Sequence, residues 1–278
     1  MQELLRSNME STSDAVFASK EEEERFKADS YNRTPGTAHD KSIYDCKICL
    51  NKGDIAIVRQ NDLGWWTIFH RPCKCLKIRS TIRRMQRSGL KDIIRDYTFD
   101  KYKAEEPWQQ AIKDAAMDYA KDPRGWFFIG GQSGAGKTHI CTAICREFLL
   151  AGREVKYMLW RDDVTAIKQA VNDYELYKQL IGQYKDVDVL YIDDLFKIGK
   201  TDGHSQKPTT GDINAAFEIL NGRYNDPRKI TIISSECTVN DILDIDEAVA
   251  GRIFERAKPL NLKPDRSKNY RLKGAVDL

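Results

Sequence analysis

At 278 residues the chain can hold one large domain with a sizeable core and a second, small one. Hydrophobic content is an ordinary 41%, no apolar run approaches membrane-spanning length, and the N-terminus lacks a charged-then-apolar signal pattern; the expectation is a soluble, cytoplasmic protein with no membrane partner. The formal charge of +3 decides little, but its distribution is uneven: residues 1–45 carry 6 Lys/Arg against 10 Asp/Glu, residues 46–100 carry 12 against 5, which points the second stretch at phosphate backbones or an acidic partner surface.

Residues 1–40 read as a flexible tail, polar and ending in a Pro35-Gly36 turn, with a short helix over Glu21–Ala28 compatible with the acidic run at 21–24. Residues 41–76 read as a zinc-binding module. Cys46 and Cys49 form one pair, and Cys73 and Cys75 a second one after 23 intervening residues. Between the pairs, Ile55–Arg59 and Trp65–Phe69 read as two short strands joined by a turn at Asn61–Gly64. Two cysteine pairs on a hairpin are what a tetrahedral Zn²⁺ with four thiolates requires, and the metal would supply much of the folding energy of so short a segment. His70 is an alternative fourth ligand, and free thiols are the competing reading, since the second pair is C-x-C rather than C-x-x-C. Cys141, Cys145 and Cys237 read as small buried hydrophobes.

Residues 77–105 read as a basic linker helix and connector. Over Leu76–Ser88, Ile78, Ile82 and Met85 share one face and Lys77, Arg79, Arg83, Arg84 and Arg87 cover the rest, with Gly89 as the stop. A solvated linker and a nucleic-acid contact both fit that pattern. Tyr97, Phe99 and Tyr102, then a helix carrying Trp108, Ile112, Met117 and Tyr119, lead into an α/β domain; aromatics placed here could approach a nucleotide base, though core packing explains each one.

The sharpest signal is Gly131-Gln132-Ser133-Gly134-Ala135-Gly136-Lys137-Thr138, set between the apolar run Trp126–Ile129 and a helical pattern over Lys137–Leu150. Strand, glycine-rich loop and helix make this G-x-x-x-x-G-K-[ST] sequence a phosphate cradle: backbone N–H groups curl around the phosphates at a helix N-terminus. Lys137 would neutralise terminal phosphate charge and Thr138 would hold Mg²⁺. Strands and helices then alternate: Val155–Trp160 a strand, Asp163–Gln183 helical, Val187–Ile192 a strand, Asp212–Tyr224 a helix and Lys229–Ser235 a strand. Short helices over 239–244 and 247–257 and a last strand at Leu260–Leu262 follow, which predicts a parallel sheet with helices on both faces over 106–278. The strand ending in Asp193-Asp194 is expected beside the P-loop strand, with Asp193 near Mg²⁺ and Asp194 as general base. Ser235 or Glu236, at the polar end of another strand, could touch the γ-phosphate or the attacking water. Arg252, on a helix with Arg256 one turn on, is a candidate arginine finger acting on a neighbouring subunit.

The order P-loop, Ile-Asp-Asp, Ile-Ile-Ser-Ser-Glu, Asp-Ile-Asp-Glu-Ala-x-x-x-Arg-Ile and Asn269-Tyr270-Arg271 resembles the AAA+ ATPases of the replicative helicase loader group. These are the DnaC- and DnaI-like proteins of bacteria and phages, related to the transposon ATPase IstB, and the resemblance covers roughly residues 97–278. It implies a five-stranded AAA+ P-loop fold, ATP, Mg²⁺ and Zn²⁺ as cofactors, and a weak, partner-stimulated ATPase. Its Walker A segment is 131–138, its Walker B acids Asp193 and Asp194, its sensor 1 near Ser235 or Glu236, and its arginine finger Arg252. The second Walker B acid is Asp where many AAA+ proteins have Glu, and no second sensor arginine is assigned. The implied partners are the replicative DNA helicase, single-stranded DNA and further copies of the chain. An IstB-like transposition ATPase, a nucleotide-gated adapter with negligible hydrolysis and, last, a small-molecule P-loop kinase are the alternatives.

Overall fold

A helix over Lys20–Arg33 (α1) is the first element of the computed structural model, which describes residues 17–37, 44–87, 93–197, 200–201, 204–205 and 207–272. Two units divide between Leu76 and Lys77. In the first, α1 lies within the stretch 1–40 read as a flexible tail and outruns the short helix read at Glu21–Ala28; residues 1–16 and 38–43 lie outside the described residues. Local and distant contacts both account for this. Ser19 caps the helix by accepting the Glu22 N–H, Arg25 pairs with Glu21 and Lys20 with Glu24 one turn apart. At its far end the Asn32 amide exchanges two 2.9 Å hydrogen bonds with the backbone of Ala56, and Tyr31 donates to Asp54 at 2.6 Å. Those partners stand on β1 (Asp54–Gln60), which pairs antiparallel with β2 (Trp66–Pro72), Ile57 opposite Phe69. Asn61 makes the turn between them by accepting the N–H groups of Leu63 and Trp65.

The second unit is a five-stranded parallel sheet. Helix α2 (Cys75–Arg87) spans the division between the units. Its Ile78 and Ile82 are buried, Lys77 pairs with Glu154 at 2.8 Å, and Thr81 donates to the Val155 carbonyl. That packed face goes beyond a solvated linker; the side chains of Arg84, Met85 and Arg87 lie outside those described. A single turn, α3 (Ile93–Asp96), and α4 (Pro107–Lys121) lead to β3 (Trp126–Gly131). After α5 (Lys137–Leu150) come β4 (Val155–Leu159), α6 (Trp160–Gln169), α7 (Tyr174–Lys185) and β5 (Val189–Leu195). Two two-residue strands, β6 (Lys200–Thr201) and β7 (His204–Ser205), pair with each other. Then follow α8 (Thr210–Tyr224), β8 (Ile230–Ser235), α9 (Val239–Ile245), α10 (Glu247–Arg256) and β9 (Leu260–Leu262).

Strand order is β4-β5-β8-β3-β9. The strand carrying Asp193 and Asp194 is therefore not beside the P-loop strand, as expected, because β8 lies between them. The helical region read over 163–183 is two helices, since Asp173 caps a fresh start by accepting the Leu176 N–H. Trp160 begins α6 instead of ending β4, and its fully buried ring meets Phe196 edge-on. Alternate strand residues point to opposite faces. Phe128, Met158, Leu190, Ile192 and Ile233 pack under α6, α7, α8 and α10. On the other face Phe127 meets Tyr119 of α4, and Ile140 and Ile144 of α5 are fully buried. Such burial on both faces is why β3, β5 and β8 read as unbroken apolar runs. All five strands point the same way, so β3, β5 and β8 deliver their last residues to one edge of the sheet.

Candidate nucleotide site and cysteine cluster

The P-loop leaves β3 at Gly131 and enters α5 at Gly136, whose φ of +83° lets the chain turn straight into the helix. Lys137 is 7% exposed, and its ammonium donates to the Gly131 and Gln132 carbonyls, both at 2.8 Å. Burial holds it below the usual lysine range. Thr138 reaches across β8's end to Asp193, its hydroxyl 3.3 Å from the carboxylate.

Asp193 is 3% exposed and collects four hydroxyls: Tyr157 at 2.9 Å, Tyr191 at 2.8 Å, Ser234 at 2.6 Å and Thr138. Burial, then the neighbouring Asp194 charge, pushes its carboxyl up, while Ser234 and the two tyrosines pull the other way. A dication beside it would relieve that burial cost. Asp194 has φ +60° at a shift of register between β5 and β8, and its N–H donates to Ser234 at 3.0 Å. Its carboxylate pairs with Lys197 at 2.7 Å, and Lys197 also reaches Glu236 at 3.2 Å.

A cavity of about 330 Å³ brings together Ser133, Gly134, Gly136, Lys137, Thr138, Asp194, Lys197 and Glu236. Its other end is aromatic, with Tyr97 stacked on His139 at 4.3 Å and Tyr102 edge-on to the same ring. The Tyr102 hydroxyl is buried without a hydrogen-bond partner, and a Cβ at Gly136 would stand 3.6 Å from it. A phosphate cradle with an orphaned hydroxyl beside it fits a nucleotide.

Not every expected residue faces this cavity. Ser235 spends its hydroxyl on the Leu195 carbonyl and the Cys237 N–H, and Ser234 holds Asp193 in its place. Arg252 does not line it: its guanidinium bonds Asn221 at 2.8 and 3.1 Å and lies 4.4 Å from the centre of the Phe217 ring. Gln132 turns away, its side chain accepting the Asp265 N–H. The sequence singles out Asn269-Tyr270-Arg271 in the motif order but gives it no role at the site, where it forms a C-terminal strap: Tyr270 N–H donates to the Gly134 carbonyl, and Asn269 fills the space where a Cβ at Gly134 would lie, 1.9 Å from its Oδ1. Tyr270 and Arg271 thereby become cavity wall.

In the first unit, Cys46, Cys49, Cys73 and Cys75 are all buried, with sulfurs within 4.8 Å of one another. Cys46–Cys73 is 3.8 Å and Cys49–Cys75 3.5 Å, too long for disulfides and close to the about 3.8 Å edge of a tetrahedron built on Zn–S bonds of about 2.3 Å. Burial, then the adjacent Cys49 and Cys73, pushes the Cys75 thiol far up, a cost that a bound cation removes. His70 is not part of the cluster: its ring is 3.4 Å from Asp54 and edge-on to Tyr31. The four cysteines can hold a metal ion.

Sheet order, loop and buried acid define a P-loop nucleotide-binding domain of the AAA+ class. The chain belongs to the family of the bacterial DnaA ATPase domain, whose profile matches residues 93–256. It is 34% identical over 227 residues to the phage-like element PBSX protein XkdC of Bacillus subtilis (strain 168), covering 78% of this chain and 80% of that one. The replicative helicase loader DnaC of Escherichia coli (strain K12) is 31% identical over 117 residues, 41% of this chain and 48% of the loader. Among solved structures, domain III of the Thermotoga maritima replication initiation protein DnaA matches with a TM-score of 0.50 and 26% identity, over 62% of this chain and 70% of that chain. The kinship with helicase loaders expected from the motif order is borne out.

Proposed function

We propose that the chain is an ATP-dependent loader of the replicative DNA helicase, with ATP in the cavity of the second unit and the helicase gripped by the N-terminal region. The observation that carries this reading is the joining of a complete P-loop site to loader kinship in one chain. Gly131–Thr138 would cradle the phosphates, with Lys137 on the terminal ones. Thr138 and Asp193 would hold Mg²⁺, which neutralises charge on the transferring phosphoryl oxygens. Asp194 would polarise the attacking water, and Glu236 would sense the γ-phosphate. Zn²⁺ is the ion proposed for the four cysteines, single-stranded DNA a further ligand of the second unit, and the cytoplasm the place of action; among the described residues no helix is long and apolar enough to cross a membrane.

Arg252 supports side-by-side assembly because it stands half-exposed on α10, outside its own cavity. Its expected role is in a neighbour's site. Arg252→Ala should leave ATP binding within about twofold and cut turnover by about 10³-fold, the scale of a lost arginine finger. Phosphate release per chain should also rise with protein concentration. A rate unchanged on dilution and in the variant would remove the arginine finger. The functional reading itself is tested by purifying the tagged full-length chain from its host with ATP present. The host's replicative helicase should come with it; a transposase in its place would move the assignment to the IstB-like alternative.

A further inference from the structure

β5 does not run straight off the sheet. Its register against β8 shifts between Ile192 and Leu195, and both Asp194 and Phe196 occupy the left-handed region, at φ +60° and +61°. Non-glycine residues stay there only when their surroundings over-determine the backbone. Here Phe196 is buried against Trp160, Ser234 receives the Asp194 N–H, and the Lys197 N–H closes the turn on the Asp194 carbonyl at 2.9 Å. The result of this bent turn is the position of one ammonium group. Lys197 points back over the phosphate end of the cavity, donating to Asp194 at 2.7 Å and lying 3.2 Å from Glu236, which itself accepts from Ser133 of the P-loop at 3.1 Å.

Among the cations that line the cavity, which include Lys101, Lys103 and Arg271, Lys137 and Lys197 stand in different states. Lys137 is bonded to backbone carbonyls of its own loop, whereas Lys197 is neutralised by the two carboxylates proposed to act on water and γ-phosphate. Half-exposed ion pairs contribute little to stability, so holding the fold together is a weak reason for so bent a turn. A terminal phosphate entering between Lys137 and Lys197 carries more charge than either carboxylate and would compete for the same ammonium.

We infer that Lys197 is a positioning residue that reads the terminal phosphate: it restrains Asp194 and Glu236 while the site is empty and releases them when a nucleoside triphosphate takes the ammonium. This rests on the proposed nucleotide site. A diphosphate lacks the group that competes, so Lys197 should separate triphosphate from diphosphate.

The test is titration of the full-length chain with ATP and with ADP, each with Mg²⁺, for wild type, Lys197→Gln, Lys197→Arg and Glu236→Gln. Lys197→Gln should lose about tenfold in ATP affinity, the scale of one charge-assisted hydrogen bond, with ADP affinity within about twofold. Lys197→Arg should restore ATP affinity. Glu236→Gln loosens the restraint from its other side and should raise ATP affinity several-fold over ADP, an arm that stands even where Lys197→Gln fails to fold. Equal effects on both nucleotides, or none, would overturn the inference and leave the site standing; a wild-type chain that binds neither nucleotide would overturn the site as well.

Discussion

A chain carrying Lys137→Ala is expected to lose about a hundredfold or more in affinity for ATP, since two charge-assisted hydrogen bonds at about 1.5–3 kcal/mol each disappear and every 1.4 kcal/mol is a factor of ten. Lys197, one of the further ammonium groups lining the cavity with Lys101 and Lys103, is held by Asp194 and Glu236. Lys137 is buried with its ammonium on the Gly131 and Gln132 carbonyls, so its charge is met within its own loop. Alanine leaves those two acceptors without that donor, at a cost of about 1–3 kcal/mol to the second unit. Titration with a fluorescent ATP analogue measures the affinity, and circular dichroism with a denaturant series shows whether the sheet persists. Near-wild-type affinity in a folded variant would remove the cavity as the phosphate site. The metal content of the four-cysteine cluster should not change.

The residues legible in the sequence are those whose chemistry is set by neighbours in the chain. The P-loop declares itself because strand, glycines, lysine and helix are contiguous, and Cys46 through Cys75 because paired spacing on a hairpin is itself the ligand geometry. What escaped depends on register between distant strands. Ser234 and Ser235 sit side by side in β8, and strand alternation sends them to opposite faces. Only the pairing of β8 with β5 decides that Ser234 meets Asp193 and that Ser235 meets the Leu195 carbonyl. Tyr191 was within reach, since it stands two residues before Asp193 and so shares its face. Lys197 was not, because its direction comes from a turn with two left-handed residues that no propensity favours. The full length of α1 escaped for a related reason: its last turn is held by Tyr31 and Asn32 on β1, partners that its local sequence does not show. The C-terminal strap gave no periodic signal, and it reaches the cavity through one backbone hydrogen bond and the space beside Gly134.

Removal of metal from the cysteine cluster is expected to unfold the first unit and leave the second intact. Among the described residues of the first unit, the buried apolar side chains besides the four cysteines are Ala28, Tyr44 and Ala56. Three such side chains cannot offset the ordering of a helix and a hairpin, at about 1–2 kcal/mol of backbone entropy per residue. Structural Zn²⁺ contributes about 10–16 kcal/mol of apparent binding free energy in small modules, which is the right scale to close that gap. The second unit has no such dependence, with Phe128, Ile140, Ile144, Leu190, Ile192 and Ile233 all fully buried in its own core. Protein purified without added metal should contain about one Zn²⁺ per chain by elemental analysis. A strong chelator, or Cys46→Ser, should abolish hydrogen-exchange protection across β1 and β2 while ATP still binds. His70→Ala should keep the metal, because that ring faces Asp54 and Tyr31. Native protein that carries no zinc, or a hairpin still protected after complete chelation, would show that the four sulfurs are reduced thiols in a unit stabilised by other means.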